Sequence, residues 1–224
     1  RSRRIMFISP NIFFCKKEDA ETFKKDSDKY FKLISNDYQR YIEDIFKSYF
    51  EIQKSLAKDS VENIAKNGYT ILVNSGIASK LEPNNHKDRL DSFKKICAGI
   101  NKNAEQIAGE YTCSMHPQIR LPDNKSKCHL CSMDLVKVKL DKDIARKHFE
   151  GISNALREYV SVIDKKEKKP RAVYVFYCGM VKKYWLHDNN KTSNPYATSM
   201  PKCVKIVDDK KKENDEHEGH GGHK

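Results

Sequence analysis

Four stretches of this chain repeat apolar residues at steps of three and four, and no other feature constrains the fold as strongly. Side chains at that spacing gather on one face of a helix, so the pattern predicts helices near residues 37–57, 60–75, 87–110 and 141–164. A helix with a single apolar face must bury that face against a neighbour. We therefore predict a mainly α fold in which the four helices form an antiparallel four-helix bundle.

Between the third and fourth predicted helices lies a segment with two pairs of metal-ligating residue types. The pairs are Cys113-x-x-His116 and Cys128-x-x-Cys131, and 11 residues separate them. Two donors at this spacing on a tight turn can face one point, and two such pairs complete a tetrahedral shell. The intervening loop is too short to hold a hydrophobic core, so a bound ion would take the place of one. We call residues 111–136 the metal module.

Two methionines indicate the kind of ion that the metal module binds. Met115 and Met133 each follow a cysteine by two residues, and thioethers beside thiolates favour Cu(I) or Ag(I). Zinc remains an alternative at the cysteine and histidine positions. A disulfide is another alternative, either between Cys128 and Cys131 or between one of them and Cys113.

The metal module resembles the small heavy-metal-binding domain of copper and silver efflux adaptors and metal-transporting ATPases. The usual pattern of that domain is Tyr-x-Cys-Pro-Met-His-Pro, followed by Gly-x-Cys-Pro-x-Cys-Gly-Met-x-Leu. Ser114, His129 and Ser132 stand where the pattern has proline or glycine. The resemblance implies that the module binds heavy-metal ions. The matching residues are Tyr111, Cys113, Met115, His116, Pro117, Cys128, Cys131, Met133 and Leu135.

A second group of soft ligands lies after Pro170, where the helical spacing stops. β-branched and aromatic residues predict strands near residues 172–177 and 204–207, so the chain closes with a short β-containing segment. Cys178-x-Met180 and Met200-x-x-Cys203 flank the loop between them, and two thiols with two thioethers suit Cu(I). A disulfide with gap-filling methionines is the alternative. His187 is either a further ligand or a surface histidine.

This segment and the helices resemble a family of bacterial periplasmic domains of formally unknown function. The family is described as copper-binding and is often fused to copper and silver efflux adaptors. The resemblance spans residues 37–208, with the metal module inserted before the last helix, and it implies metal binding outside the cytoplasm. The matching residues are Cys178, Met180, Trp185, Leu186, Asn194, Pro195, Tyr196, Met200 and Cys203.

Both ends of the chain carry weaker signals. Basic residues and a short apolar run precede Cys15, which is similar to a bacterial lipoprotein signal with an acylated cysteine; the alternative is an unstructured end with a free thiol. At the other end, His217, His220 and His223 suit weak chelation of Cu(II), Ni(II) or Zn(II), and the alternative is a solubilising tail or an expression remnant.

These patterns divide the chain into six parts. The parts are a signal remnant and linker with a lipoprotein tether at residues 1–36, helices one to three at 37–110, the metal module at 111–136, helix four at 137–169, the Cys/Met region at 170–208, and a disordered His-rich tail at 209–224.

Composition narrows the function classes. The net charge of +12 allows an acidic partner, but only nine of the 43 basic residues are Arg and the lysines are scattered among 31 acids, so no nucleic-acid partner is expected. No run of apolar residues is long enough to predict a membrane span, which leaves a lipid anchor at Cys15 as the membrane contact. A nucleophile with its base, a phosphate loop and paired acids are all lacking, so we predict that the protein is not an enzyme.

The sequence therefore predicts a periplasmic or cell-envelope protein that binds copper or silver. It would act as a buffer or chaperone in metal resistance or efflux, with an efflux system or adaptor protein as partner. The alternative is a structural zinc site at Cys113, His116, Cys128 and Cys131 that docks the helices to a protein or nucleic acid.

Overall fold

The computed structural model describes residues 6–9, 12–14, 38–81, 89–166, 170–200 and 203–207. Helices dominate these ranges, and a 3-10 turn at Asp164–Lys166 follows the last of them. The mainly α class is thus confirmed. The four α-helices are α1 Tyr38–Ala57, α2 Ile64–Ala78, α3 Leu90–Ile107 and α4 Lys142–Val162.

Short antiparallel strands form three small sheets. In the first sheet β1 pairs with β2, in the second β3 lies between β4 and β5, and in the third β6 lies between β7 and β8. The second sheet belongs to the metal module and the third to the Cys/Met region. The strands are β1 Met6–Ser9, β2 Ile12–Phe14, β3 Tyr111–Thr112, β4 Arg120–Leu121, β5 Val136–Lys137, β6 Tyr174–Cys178, β7 Lys183–His187 and β8 Lys205–Ile206.

The helices pack in chain order, α1 on α2, α2 on α3 and α3 on α4, and α1 also contacts α4. Helices α1, α3 and α4 bury the apolar stripe that the spacing predicts, because removing these side chains from water is the main favourable term in folding. On α2 the prediction was wrong for most positions, since of the residues expected to face inward only Ile64 is buried and the buried face carries Ile71 and Ala78 instead. The antiparallel arrangement of the four helices in a bundle remains a prediction. The fully buried side chains of the shared core include Ile45, Tyr49, Ile52, Phe93, Ile100, Phe149, Ile152 and Leu156.

Helix α2 starts four residues later than the sequence predicts. Asp59 and Asn63 both adopt left-handed backbone angles with φ 59°, so the chain turns twice before the helix can begin at Ile64. Its end lies three residues beyond the predicted one. Ser75 is tolerated in the last turns because its hydroxyl donates to the Ile71 carbonyl at 2.7 Å.

Tyr49 joins the third sheet to the helices. Its ring stacks on Phe149 of α4 at 4.8 Å, its hydroxyl hydrogen-bonds Ser153 Oγ at 2.8 Å, and the Leu186 backbone N–H of β7 donates to the same hydroxyl at 3.0 Å. Through this one buried side chain, α1 therefore contacts both α4 and β7.

Within the described ranges, no helix combines the length and the apolar composition that crossing a membrane requires.

The metal module is attached where α3 ends. The Gly109 N–H donates to the Ala65 carbonyl of α2 at 3.0 Å, and the Val138 N–H donates to the Glu110 carbonyl at 2.7 Å. The second bond ties the entry of the module to its exit. The module therefore starts and ends at one place beside α2.

Candidate metal centre

Two tight turns present the paired ligands of the metal module. After β3, the His116 N–H donates to the Cys113 carbonyl at 3.1 Å, which closes a turn between the first two ligands. In the second turn the Ser132 N–H donates to the Cys128 carbonyl at 2.7 Å, and the Cys128 N–H donates to the Met133 carbonyl at 2.8 Å. The backbone thus holds each pair on one side of its turn.

Ser132 occupies a backbone position that glycine usually fills. Its φ is 60°, in the left-handed region that L side chains adopt at a cost. The resembled domain has glycine there, and this chain makes the same turn with serine. The substitution therefore leaves the turn geometry in place.

The four predicted ligands meet at one point. The ligand atoms of Cys113, His116, Cys128 and Cys131 all lie within 4.8 Å of one another. Cys113 Sγ lies 3.5 Å from Cys131 Sγ and 3.7 Å from His116 Nδ1, and Cys128 Sγ lies 3.5 Å from that nitrogen. In a tetrahedral site with ordinary metal–ligand bonds, neighbouring donors are separated by about 3.6 to 3.8 Å. The spacing therefore fits a single ion.

The same distances decide against a disulfide. A bonded pair of sulfurs lies about 2.05 Å apart, whereas the Cys113 and Cys131 sulfurs are separated by 3.5 Å. All cysteines in the described ranges are free thiols. Within the described ranges, the structure therefore contains neither a disulfide in the metal module nor one between Cys178 and Cys203.

The candidate site is buried on one side and open on the other. Cys113 and Cys128 are buried and pack with Ile119 in a small apolar cluster of the module. His116 and Cys131 are partly exposed. An ion held here would contact the module's interior through two sulfurs and lie near solvent on the side of the other two ligands.

Donors around Cys128 favour its thiolate. Burial opposes ionisation, but the backbone N–H groups of Cys131 and Leu130 and the thiols of Cys131 and Cys113 outweigh it and lower the pKa of Cys128 to about 6. At Cys131 the Met133 N–H favours the thiolate. Burial and the neighbouring Cys113 and Cys128 sulfurs prevail there and raise the pKa of Cys131. One thiolate is therefore available for a metal ion at neutral pH.

Comparison with known families agrees with this geometry. Residues 110–138 match the family model described as heavy metal binding domain. The chain contains a metal-binding domain. No curated protein and no solved structure matches the chain. The ligand cluster and the family match support metal binding at the same residues. The family match covers residues 110–138, so the description of the remaining residues rests on their structure.

Acid should release metal from the metal module through protonation of Cys128. Because the pKa of this thiol is about 6, protons compete with the ion for the Cys128 sulfur below pH 6 and not at pH 7 to 9, and the contribution of Cys128 to affinity should fall by up to about tenfold per pH unit below 6. Zn(II) titrations against a competing chelator from pH 9 to 5 measure this, with Cys128→Ser as reference. The ratio of wild-type to variant affinity should stay constant above pH 6, and a decrease between pH 9 and 7 would contradict the lowered pKa.

The two methionines of the metal module lie at its surface. Met115 is 67% exposed and Met133 is 45% exposed, beside the exposed Leu130. The four-ligand cluster is complete without either thioether. Their part in metal binding stays a prediction, and their position places them at the solvent side of the module.

The structure brings Cys178 and Cys203 together. Strand β8 pairs with β6 so that Lys205 faces Tyr177, and the chain at Cys203 therefore runs beside the end of β6 at Cys178. Burial of Cys178 opposes ionisation, but the Val181 N–H and the Cys203 thiol, among other donors, outweigh it and lower the pKa of Cys178. The Cys203 thiol is therefore one of the groups that favour ionisation of Cys178.

The methionines of this second cluster differ from each other in their positions. Met200 is half-buried in the turn that leads to Cys203, whose N–H donates to the Met200 carbonyl at 3.3 Å. Met180 is 67% exposed, although the cysteine two residues before it is fully buried. The structure therefore leaves Met180 at the surface, and binding of one ion by the two thiols and two thioethers stays a prediction.

His187 is neither a surface residue nor a neighbour of this cluster. It is buried, its ring packs 5.6 Å from that of Phe176, and its Nε2 hydrogen-bonds Ser193 Oγ at 3.1 Å. His187 pairs with Tyr174 at the end of the β6–β7 ladder opposite Cys178. Both interpretations from the sequence were wrong because the strand β7 that buries it was not predicted.

Cys97 is a core residue of α3, where it lies beside the apolar stripe of the helix. It is buried between the helices, and burial raises the pKa of its thiol to about 12. The remaining predicted positions, which are Cys15, His217, His220 and His223, lie outside the described residues.

Proposed function

We propose that this protein binds copper or silver outside the cytoplasm and either buffers these ions or passes them to an efflux partner. The observation that carries the proposal is the cluster of three thiols and one imidazole within 4.8 Å. Three sulfur donors favour soft ions, and Cu(I) and Ag(I) are softer than zinc. A shell filled by four protein donors leaves no position for a reactive water, which favours a binding role over hydrolysis.

Exposure on one side of the metal module supports ion transfer. Transfer between proteins proceeds by ligand exchange, in which an incoming donor joins the ion before an old one leaves. The partly exposed Cys131 and His116 allow such an approach. Met115 and Met133 add exposed thioethers on the module, and these would give a soft ion its first contacts.

The other parts of the chain have roles consistent with this proposal. The four helices, which we take to form an antiparallel bundle, would carry the metal module and the Cys178–Cys203 pair on one scaffold. A lipid on Cys15 would hold the protein at the cell envelope, and the histidines of residues 217–223 would collect divalent ions.

The second candidate function is that of a structural zinc module. Four protein ligands in a tetrahedral arrangement, with two buried cysteines, are typical of zinc sites that stabilise small domains. Leu130 and Val136 are exposed apolar side chains on the same module. In this case the module would dock the helices to a protein partner or to nucleic acid.

Metal competition distinguishes the two functions. The reduced full chain carrying Cys178→Ser and Cys203→Ser would be offered Zn(II) and Cu(I) together with chelators of known affinity, and bound metal would be measured by elemental analysis. We expect Cu(I) to displace zinc and to be lost after Cys113→Ser but not after the neighbouring Ser114→Ala, where the side chain is exposed. Retention of zinc with loss of Cu(I) to the chelator would establish the structural function instead.

A further inference from the structure

Three free thiols of the metal module lie close enough to react with one another. The sulfurs of Cys113, Cys128 and Cys131 all lie within 4.8 Å of each other, and those of Cys113 and Cys131 are 3.5 Å apart. The latter two sulfurs are in van der Waals contact. An approach of about 1.5 Å would bring them to the bonded distance of a disulfide.

The three cysteines differ in their access to solvent. Cys131 is partly exposed, whereas Cys113 is 0% exposed and Cys128 is 1% exposed. Because oxidation of thiols follows their exposure, a small oxidant from solvent reaches Cys131 first. The Cys113 sulfur lies in contact with it and is placed to react next.

Cys113 and Cys131 belong to different turns of the metal module. Cys113 starts the turn that the His116 N–H closes, and Cys131 lies within the turn that joins Cys128 to Ser132. A bond between the Cys113 and Cys131 sulfurs would connect the two turns, as a bound ion does. A bond between Cys128 and Cys131 would lie within one turn. Only a bond to Cys113 would therefore replace the ion as the link between the turns.

We infer that Cys113 and Cys131 are a reversible oxidation site, at which a peroxide forms a disulfide, releases the metal ion and leaves the emptied module closed. The inference goes beyond the proposed function and rests on it only in that the module carries an ion before oxidation. Metal and disulfide exclude each other because both need the same two sulfurs.

The oxidation needs one peroxide for each disulfide. The Cys131 sulfur attacks a peroxide oxygen, the O–O bond breaks, and a sulfenic acid and water form. The Cys113 sulfur then attacks the Cys131 sulfur, so that the S–S bond forms, the S–O bond breaks and a second water leaves. In sum, two metal-bound thiolates, one hydrogen peroxide and two protons give one disulfide and two waters, and the ion leaves with its charge unchanged. A thiol reductant restores both thiols by disulfide exchange.

Oxidation leaves too few ligands for an ion. Cys128 and His116 remain, whereas a structural zinc site uses four ligands, so zinc affinity should fall at least about 100-fold. Coupling between two sites is reciprocal in equilibrium terms. Bound zinc should therefore protect Cys113 and Cys131 from oxidation, relative to the reduced metal-free chain.

The test uses the full chain loaded with Zn(II), which hydrogen peroxide does not oxidise. Bound zinc is first confirmed by elemental analysis. Hydrogen peroxide is then added, released zinc is measured with a chromogenic indicator, and disulfides are mapped by mass spectrometry after alkylation and digestion. We expect one zinc released per Cys113–Cys131 disulfide, and rebinding after reduction. Three other thiols are replaced beforehand by the substitutions Cys15→Ser, Cys178→Ser and Cys203→Ser.

Two controls separate this site from general thiol oxidation. Cys97 is 1% exposed among the helices, so it should remain a free thiol throughout. Amide hydrogen exchange in the Cys113–His116 turn should be slower in the oxidised metal-free chain than in the reduced metal-free chain, because only the disulfide links the turns. Equal exchange in the two forms would overturn the inferred closure of the module.

The outcomes distinguish the inference from the proposed function. If zinc binds but peroxide yields mainly a Cys128–Cys131 disulfide, or oxidises Cys131 without any disulfide, the inference is overturned and the metal centre stands. If no metal binds, the proposed function fails instead. The disulfide is then mapped in the metal-free chain, where a Cys113–Cys131 bond supports the oxidation site and its absence overturns it.

Discussion

Replacing Cys128 with serine should empty the metal module, lowering its metal affinity at least about 100-fold. The Cys128 sulfur lies 3.5 Å from His116 Nδ1, and backbone donors and neighbouring thiols lower its pKa to about 6. Serine is not ionised at neutral pH and is a poor ligand for soft ions. Structural zinc sites contribute about 10 to 16 kcal/mol, so one lost thiolate costs about 3 kcal/mol or more, which is at least about 100-fold.

Elemental analysis and chelator competition measure this loss. Ser126→Ala, at an exposed position two residues away, should leave both stoichiometry and affinity unchanged. The helical circular dichroism of the Cys128 variant should also remain, because the module's small apolar cluster is separate from the helical core. Full occupancy with unchanged affinity in Cys128→Ser would show that the cluster is not the metal site.

The four ligands could be predicted from sequence because their geometry is local. Cys113 and His116 lie on one turn, as do Cys128 and Cys131, and a short loop is enough to bring the turns together. The helices were predictable for the same reason, since a repeat at three and four residues requires only the helix itself. The helix boundaries were less predictable, because the residues with left-handed backbone angles before α2 carry no strong sequence signal.

The Cys/Met region was predicted less completely because it depends on pairing between strands. The sequence gives no register for β6 and β8, and the pairing of these strands brings Cys203 to the end of β6 at which Cys178 lies. Strand β7, which buries His187 away from both thiols, was also not predicted from the sequence.

The two clusters differ in how the chain holds the cysteines. In the metal module, closure of two turns brings four donors together, and bound metal would replace a core that the module lacks. Cys178 lies instead at the end of a strand on the main core, where Trp185 and Phe176 stack at 5.7 Å. Loss of metal should therefore disorder the module, whereas the Cys178–Cys203 pair should keep its geometry.

Gly109 sets the attachment of the metal module to the helices. Its φ is +77°, and a Cβ at this position would lie 2.7 Å from Arg120 Cβ and 2.9 Å from the Leu121 backbone nitrogen. Both contacts are with β4 of the module. Neither neighbour can move without disturbing the β3–β4 pairing, so no small rotation of a flexible side chain relieves the contact.

Gly109→Ala should therefore lower the free energy of unfolding by about 2 to 4 kcal/mol, the sum of left-handed strain and overpacking. In a chain of this size the melting temperature should fall by about 5 °C or more. Gly99→Ala is the matched control. Gly99 lies within α3, and a Cβ there would meet Ala155 Cβ of α4 at an ordinary 3.6 Å. Alanine at this helical position should therefore be neutral or stabilising. Equal melting temperatures for Gly109→Ala and the wild type would show that the close approach of Gly109 to β4 does not constrain the module.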